Sequence, residues 1–243
     1  MHHVVLERWS RGASPIHRRD PRAKIAALAA FLVVLATARQ SLPALALALF
    51  LFLCGGLLWA RLPLAAALAR ACIVLPFTLL FAGISWLSGD PARGLALALK
   101  SYLSALAVLL VVSTTALPVL LRGLEMTGAP RFLLMVAQFL YRYLFVISEE
   151  AQHMSKAAAS RGASVRGMVG NGARFRAAAG ALAVLFARSY GRAEDIHRAM
   201  LARGFRGHFQ PLFALRFRKS DAAFAVLASL APVVLRVAVE QAL

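Results

Sequence analysis

Leu42-Pro43-Ala44-Leu45-Ala46-Leu47-Ala48-Leu49-Phe50-Leu51-Phe52-Leu53-Cys54-Gly55-Gly56-Leu57-Leu58-Trp59-Ala60 runs 19 positions without a charged side chain. A helix rises 1.5 Å per residue and the hydrocarbon of a bilayer is about 30 Å thick, so a run of about 20 apolar residues is what a membrane crossing requires. The same side chains in water would expose far more apolar surface than a soluble helix carries. The stretch therefore reads as a transmembrane helix, and the rest of the chain is read outward from it.

Similar runs flank it. Ile25 to Ala38 precedes it, short for a span unless it is extended back through Ala23 and on through the Arg39-Gln40-Ser41 turn. Ala71 to Leu87, Gly94 to Leu121 and, far downstream, Ala222 to Val239 follow it. No Asp or Glu lies inside the first four runs; Lys100 sits near the start of the fourth, where its stem can snorkel to the interface. Pro232 is tolerated as a kink in the fifth. A stretch over residues 131–147 is apolar enough to resemble a further span, but Gln138 and Arg142 inside it argue against that.

The composition agrees. Of 243 residues 60% are hydrophobic and 16% charged, mean hydropathy is +0.71, and 28 Lys plus Arg against 10 Asp plus Glu give a net charge of +18. These figures exclude a disordered chain, a disulfide scaffold and a fully soluble domain. Cys54 and Cys72 lie in or beside apolar runs and read as small membrane-helix residues. The basic excess is segregated: residues 122–220 hold 16 of the 28 Lys and Arg, and the N-terminal stretch holds Arg8, Arg11, Arg18, Arg19, Arg22 and Lys24. Five alternating crossings put both segments, and the 61–70 loop, on one side, which by the positive-inside rule is the cytoplasm.

Two stretches of the basic segment match. Ala157-Ala158-Ala159-Ser160-Arg161-Gly162-Ala163 and Ala199-Met200-Leu201-Ala202-Arg203-Gly204-Phe205 share the order apolar helix former, small residue, Arg, Gly, at an offset of 203 − 161 = 42 residues. Each is followed by a second pair, Arg166-Gly167 and Arg206-Gly207. Glycine after strong helix formers is a stop signal and a cation suits the negative helix end, so C-capping is the plain reading. Yet steps of three and four back from Arg161 give Ala158, Met154, Ala151 and Ile147, and from Arg203 give Met200, Ile196, Ala193 and Ser189. Both arginines extend a largely apolar stripe, as expected for a helix tip entering a partner's groove to meet a carboxylate.

This pair of Ala-Arg-Gly-type motifs in a small polytopic protein resembles the transmembrane T component of energy-coupling factor (ECF) transporters, the EcfT/CbiQ family. Ser14-Pro15-Ile16-His17-Arg18-Arg19-Asp20-Pro21-Arg22-Ala23-Lys24 is similar to that family's lead-in to the first helix, above all Asp20, Pro21, Arg22 and Lys24. Arg188-Ser189-Tyr190 through Arg192-Ala193-Glu194 to Ala199-Met200 is similar as well. Ser160 departs from the alanine usual in the family. The lead-in and the length are most similar to the CbiQ branch for cobalt or nickel.

The resemblance implies an all-α membrane protein of about five spans: a basic cytoplasmic segment 1–24, a four-helix transmembrane region 25–121, a cytoplasmic coupling-helix domain 122–220 and a C-terminal span 221–243. It implies a non-catalytic subunit in the bacterial plasma membrane that links a pair of ABC-type ATPases to a membrane substrate-capture subunit, with room for a small accessory membrane subunit. Ser160, Arg161, Gly162, Ala202, Arg203 and Gly204 would couple to the ATPases. ATP and Mg would be bound there and not by this chain. Biotin or another vitamin stays open as substrate, and a free-standing permease or a membrane scaffold is the alternative outside the family.

Catalytic signatures are missing from the sequence. Lys24, Lys100, Lys156 and Lys219 are preceded by Ala, Leu, Ser and Arg, so no phosphate loop ends in Gly-Lys. No nucleophile elbow is complete, and His2, His3, His17, His153, His197 and His208 show no i, i+4 pair for a metal. Met1-His2-His3 alone has the amine and third-position histidine that can chelate nickel or copper. Phe205, Phe209, Phe213 and Phe217 recur at spacing four beside arginines; an interfacial helix explains them more simply than a nucleic-acid surface.

Overall fold

The computed structural model describes residues 9–10, 12–38, 42–161, 172–207 and 217–242. Within them all regular structure is helical: α1 (Pro21–Thr37), α2 (Leu42–Trp59), α3 (Leu64–Ala71), a 3₁₀ turn (Cys72–Val74), α4 (Leu75–Leu87), α5 (Pro91–Ser113), α6 (Leu117–Met126), α7 (Arg131–Ser160), α8 (Gly172–Ala202) and α9 (Lys219–Ala242). The chain divides into two compact units, Met1–Gly128 with Ala214–Leu243, and Ala129–Phe213.

In the first unit α4 and α5 form a tight hairpin, α9 packs along α1 and reaches α2, and α5 touches α1, α2 and α3. Periodicity explains which side of each helix is buried. In α2 Leu45, Leu49, Leu53 and Leu57 recur every four residues and are buried, against Phe31 and Leu35 of α1 and Leu103 and Leu106 of α5. Leu47 and Leu51, on the opposite face, are each 61% exposed. Phe77, Leu80, Ile84, Leu227 and Val234 also face outward. A bundle whose outer surface is as apolar as its core is built to be solvated by lipid.

Three apolar runs differ in detail from the expectation, and proline accounts for two of them. The third begins earlier: Leu64 to Arg70, read as loop, is helical after Pro63, and the helix tightens to 3₁₀ at Cys72–Val74 because Pro76 has no N–H to offer the carbonyl four residues back. The fourth is two helices, broken at Thr114–Ala116, because Pro118 likewise cannot bond to Thr114. The first run yields the 17-residue α1, about 26 Å long. By length and hydropathy Leu64–Leu87, Pro91–Ser113, Arg131–Ser160 and Lys219–Gln241 are each sufficient to cross a membrane, with Pro43–Trp59 as a shorter apolar helix. Arg131–Ser160, expected to lie outside the membrane, has the lowest mean hydropathy of the four at 1.4, with Gln138 and Arg142 inside its apolar stretch.

In the second unit α7 and α8 run antiparallel. Val136, Phe139, Tyr143 and Ile147 of α7 face Ser189, Ala193, Ile196 and Met200 of α8 across a groove of about 460 Å³, and Arg188 donates to Glu150 at 2.6 Å at one end of it. Phe139 and Tyr143 stack at 6.1 Å.

The α4–α5 hairpin is closed by a missing side chain. A Cβ on Gly94 would lie 2.8 Å from the carbonyl oxygen of Ala82, a backbone atom that cannot swing aside. Gly94→Ala is expected to force the helices apart at a cost of about 1–3 kcal/mol, read as a lower thermal midpoint of the detergent-solubilised protein.

Candidate functional site

The N-terminal residues singled out from sequence converge on one structural joint. Asp20 caps α1, its Oδ1 accepting the Arg22 N–H at 2.9 Å, and Pro21 occupies the first helical position, where its missing N–H is harmless. Pro21 packs so closely on Gly123 of α6 that a Cβ there would sit 2.9 Å away. Arg22 reaches the same helix and donates to the Met126 sulfur.

Lys24 goes deepest. Its side chain is buried, 3% exposed, and Nζ donates to Thr114 O at 2.9 Å, Thr115 Oγ1 at 2.8 Å and His17 O at 3.4 Å. The Thr114 carbonyl is available because Pro118 leaves it without a helical partner, so the break between α5 and α6 creates the acceptor that the lysine satisfies. The sequence signal for this acceptor is Pro118, four residues after Thr114. The lead-in is tied down as well: His17 shares a hydrogen bond with Ser14 Oγ at 2.6 Å and another with Trp9 O at 2.9 Å, and Arg19 lies 3.6 Å from Asp221 of α9.

The Arg-Gly motifs lie at the ends of α7 and α8. Arg161 is the C-cap of α7 and its N–H bonds to Ala158 O; Ser160 Oγ folds back onto Ala157 O. At the second motif the backbone completes a two-bond stop: Gly204 N–H donates to Leu201 O at 2.9 Å and Phe205 N–H to Met200 O at 3.0 Å, with Gly204 at φ +76°. Arg161 and Arg203 are both exposed, and among the described residues neither guanidinium meets an acid. The structure does not bring them together. Arg161 lies 11 residues beyond Glu150 on α7, whereas Arg203 lines a separate hollow with Phe139, Arg142, Tyr143 and Arg206.

The stripes leading to these arginines are the less exposed sides of their helices at Ala151, Met154, Ala158, Ser189, Ile196 and Met200, while Ile147 and Ala193 are exposed. Met1-His2-His3, Gly162, Arg166-Gly167, His208, Phe209 and Phe213 lie outside the described residues. Lys100 donates to Ala36 O at 3.1 Å and Ala38 O at 2.8 Å at the end of α1.

The model of the CbiQ cobalt transport protein family matches residues 12–212, which include the Asp20 to Lys24 joint and both Arg-Gly motifs. The chain belongs to that family. It is 30% identical over 233 residues to the energy-coupling factor transporter transmembrane protein EcfT of Bacillus selenitireducens, covering 84% of each chain. A shorter similarity, 29% over 97 residues, links it to an uncharacterised protein of Methanocaldococcus jannaschii, covering 40% of this chain and 32% of that one. The chain is thus a multi-pass helical membrane protein of a transport family.

Two substitutions test the joint and the stop. Lys24→Met keeps the length but leaves the Thr114 carbonyl and the Thr115 hydroxyl without a donor, and should lower stability by about 1–3 kcal/mol in thermal unfolding. Gly204→Ala places a Cβ at positive φ, costing about 1–2 kcal/mol, and should speed amide exchange at Gly204 and Phe205 while exchange in α1 stays unchanged.

Proposed function

We propose that this chain is the T component of an ECF-type importer for cobalt or nickel ions, carrying motion from a pair of ABC-type ATPases to a membrane substrate-capture subunit. The observation that carries the reading is the family match across residues 12–212, which spans both arginine tips. The metal ion is cargo bound by the capture subunit, and ATP with its Mg belongs to the ATPases. The chain sits in the bacterial plasma membrane with its N-terminus and residues 122–220 in the cytoplasm.

Arg161 and Arg203 are the coupling residues, with Ser160 and Gly162, and Ala202 and Gly204, as the small neighbours that allow a partner's backbone to come close. Three features support this. Each arginine stands at a helix end, each is exposed, and at Arg203 the cap is made by backbone groups, so the guanidinium is not consumed in holding the helix. A guanidinium seated in a groove against a carboxylate forms two parallel hydrogen bonds, which fixes register as the ATPases close and reopen. Movement of the tips then reaches the membrane helices through α7 and α8.

The test is co-purification of the chain with its ATPase and membrane partners together with uptake of radiolabelled cobalt, nickel and biotin. Arg161→Glu with Arg203→Glu sets like charges against the receiving carboxylates and removes pairs whose loss costs about 3–5 kcal/mol each when buried. The expected result is loss of the ATPases and of cobalt or nickel uptake with the capture subunit still bound. Retained ATPases and normal uptake would reduce both arginines to helix ends, and uptake of biotin alone would move the protein to a vitamin system.

A further inference from the structure

Beside the Lys24 joint, in the first unit, lies a basin of about 1000 Å³ into which four arginines project: Arg18, Arg19, Arg61 and Arg218. The carboxylates there are Asp20 and Asp221, both buried and both engaged, Asp20 with the start of α1 and Asp221 with the Arg218 N–H at 3.1 Å and with Arg19. Arg18, Arg61 and Arg218 are exposed and have no acid partner among the described residues. The basin therefore holds uncompensated positive charge.

One of these arginines occupies a position that the backbone disfavours. α2 ends in a two-bond stop, Arg61 N–H donating to Leu58 O at 2.9 Å and Leu62 N–H to Leu57 O at 3.1 Å, and the residue at the left-handed position of such a stop is normally glycine. Here it is Arg61, at φ +56°, the only positive-φ residue other than glycine among the described residues. A non-glycine residue held there against its preference is a pointer to a use for its side chain.

The basin shares Arg19 and Ser220 with a largely apolar groove of about 740 Å³ running between α1, α2, α5 and α9, past Phe31, Phe52, Gly55, Phe224 and Leu227. Trp59, 55% exposed, stands at the mouth of this groove two residues before Arg61, the level at which tryptophan marks a membrane–water interface. Charge above and hydrocarbon below, joined at Arg19, make an amphipathic site of the shape of one lipid molecule.

We propose that this is a binding site for an anionic phospholipid, its phosphate held by Arg18, Arg61 and Arg218 and an acyl chain laid in the groove past Gly55. The site is independent of the coupling role of Arg161 and Arg203. Charge complementarity chooses this occupant: a zwitterionic lipid would fill the groove but leave the arginine basin unneutralised, and a free anion would leave the groove empty.

The test titrates the full-length chain in a neutral detergent with dioleoylphosphatidylglycerol or dioleoylphosphatidylcholine and counts bound lipid by native mass spectrometry. The phosphatidylglycerol is expected to bind about tenfold tighter, in line with the attraction of anionic lipid for several basic side chains. R18Q combined with R61G should abolish that preference, and because R61G relieves the left-handed strain the variant should unfold at no lower a temperature than wild type. Gly55→Leu, whose new side chain enters open space, should weaken both lipids. Equal binding of the two lipids by wild type, or an unchanged preference in the double variant, would overturn the proposal. Displacement of the lipid by millimolar inorganic phosphate would make the basin a free-anion site. Gly55→Leu releasing a co-purified membrane partner while lipid still binds would give the groove to a protein helix, and either result also overturns it.

Discussion

The ammonium of Lys24 is held in the interior of the first unit by oxygens at the Thr114–Ala116 break, and much of the arrangement around it follows from that contact. A buried cation is costly unless its donors are all satisfied. Here Thr114 O, Thr115 Oγ1 and His17 O surround it, while Asp20, one turn earlier, caps the helix that carries it. To satisfy the lysine, α1 must lie where α5 gives way to α6, and Pro21 must come into contact with Gly123. The lead-in residues Ser14 to Arg19 are then fixed by their own bonds to His17 and Asp221. The Lys24 contacts thus set the register of α1, α5 and α6, and Arg19–Asp221 adds α9, at one end of an otherwise apolar bundle, where hydrophobic packing alone is non-directional.

The other end of α1 is fixed by cations too. Its last carbonyls receive Lys100, through Ala36 O and Ala38 O, and Arg236 of α9, which donates to Thr37 Oγ1 at 2.6 Å and approaches Thr37 O at 3.4 Å. Arg236 is itself balanced by Glu240 at 2.8 Å. The last carbonyls of a helix have no intrahelical partner, and here side chains from neighbouring helices take that role. At about 26 Å α1 is short for the bilayer, and a short helix with cations at its negative end and an acid at its positive end is favoured by its own macrodipole at both termini.

How far the sequence disclosed this depends on the range of each interaction. Local signals were legible: the Leu42 to Ala60 run as a helix and Gly204 as a stop were read from the residues themselves, and Asp20-Pro21 as the lead-in to the first helix came through the family resemblance. The helix breaks were half legible, since Pro76 and Pro118 were visible but the runs around them are apolar enough to count as continuous spans. The contacts of Lys24 and Lys100 were not legible, because they join residues 90 and 62 positions apart and end mostly on backbone carbonyls, which carry no residue identity to read. Likewise the arginine tips could be seen as a repeat, whereas their separation in space depends on α7 and α8 running antiparallel.

The large positive charge therefore has more than one cause. Lys24, Lys100 and Arg236 are committed to carbonyl and hydroxyl oxygens inside or between helices, and removing any of them would leave acceptors bare. The side chains of Arg18, Arg61, Arg218, Arg161 and Arg203 pair with no acid among the described residues; at Arg61 the side chain is kept where glycine would serve the backbone better, and at Arg203 the adjacent glycine already ends the helix. A topology rule that only counts Lys and Arg near span ends treats these two groups alike. The geometry separates them: the first group is bound up in making the bundle, and the second is presented outward, with no acid partner among the described residues.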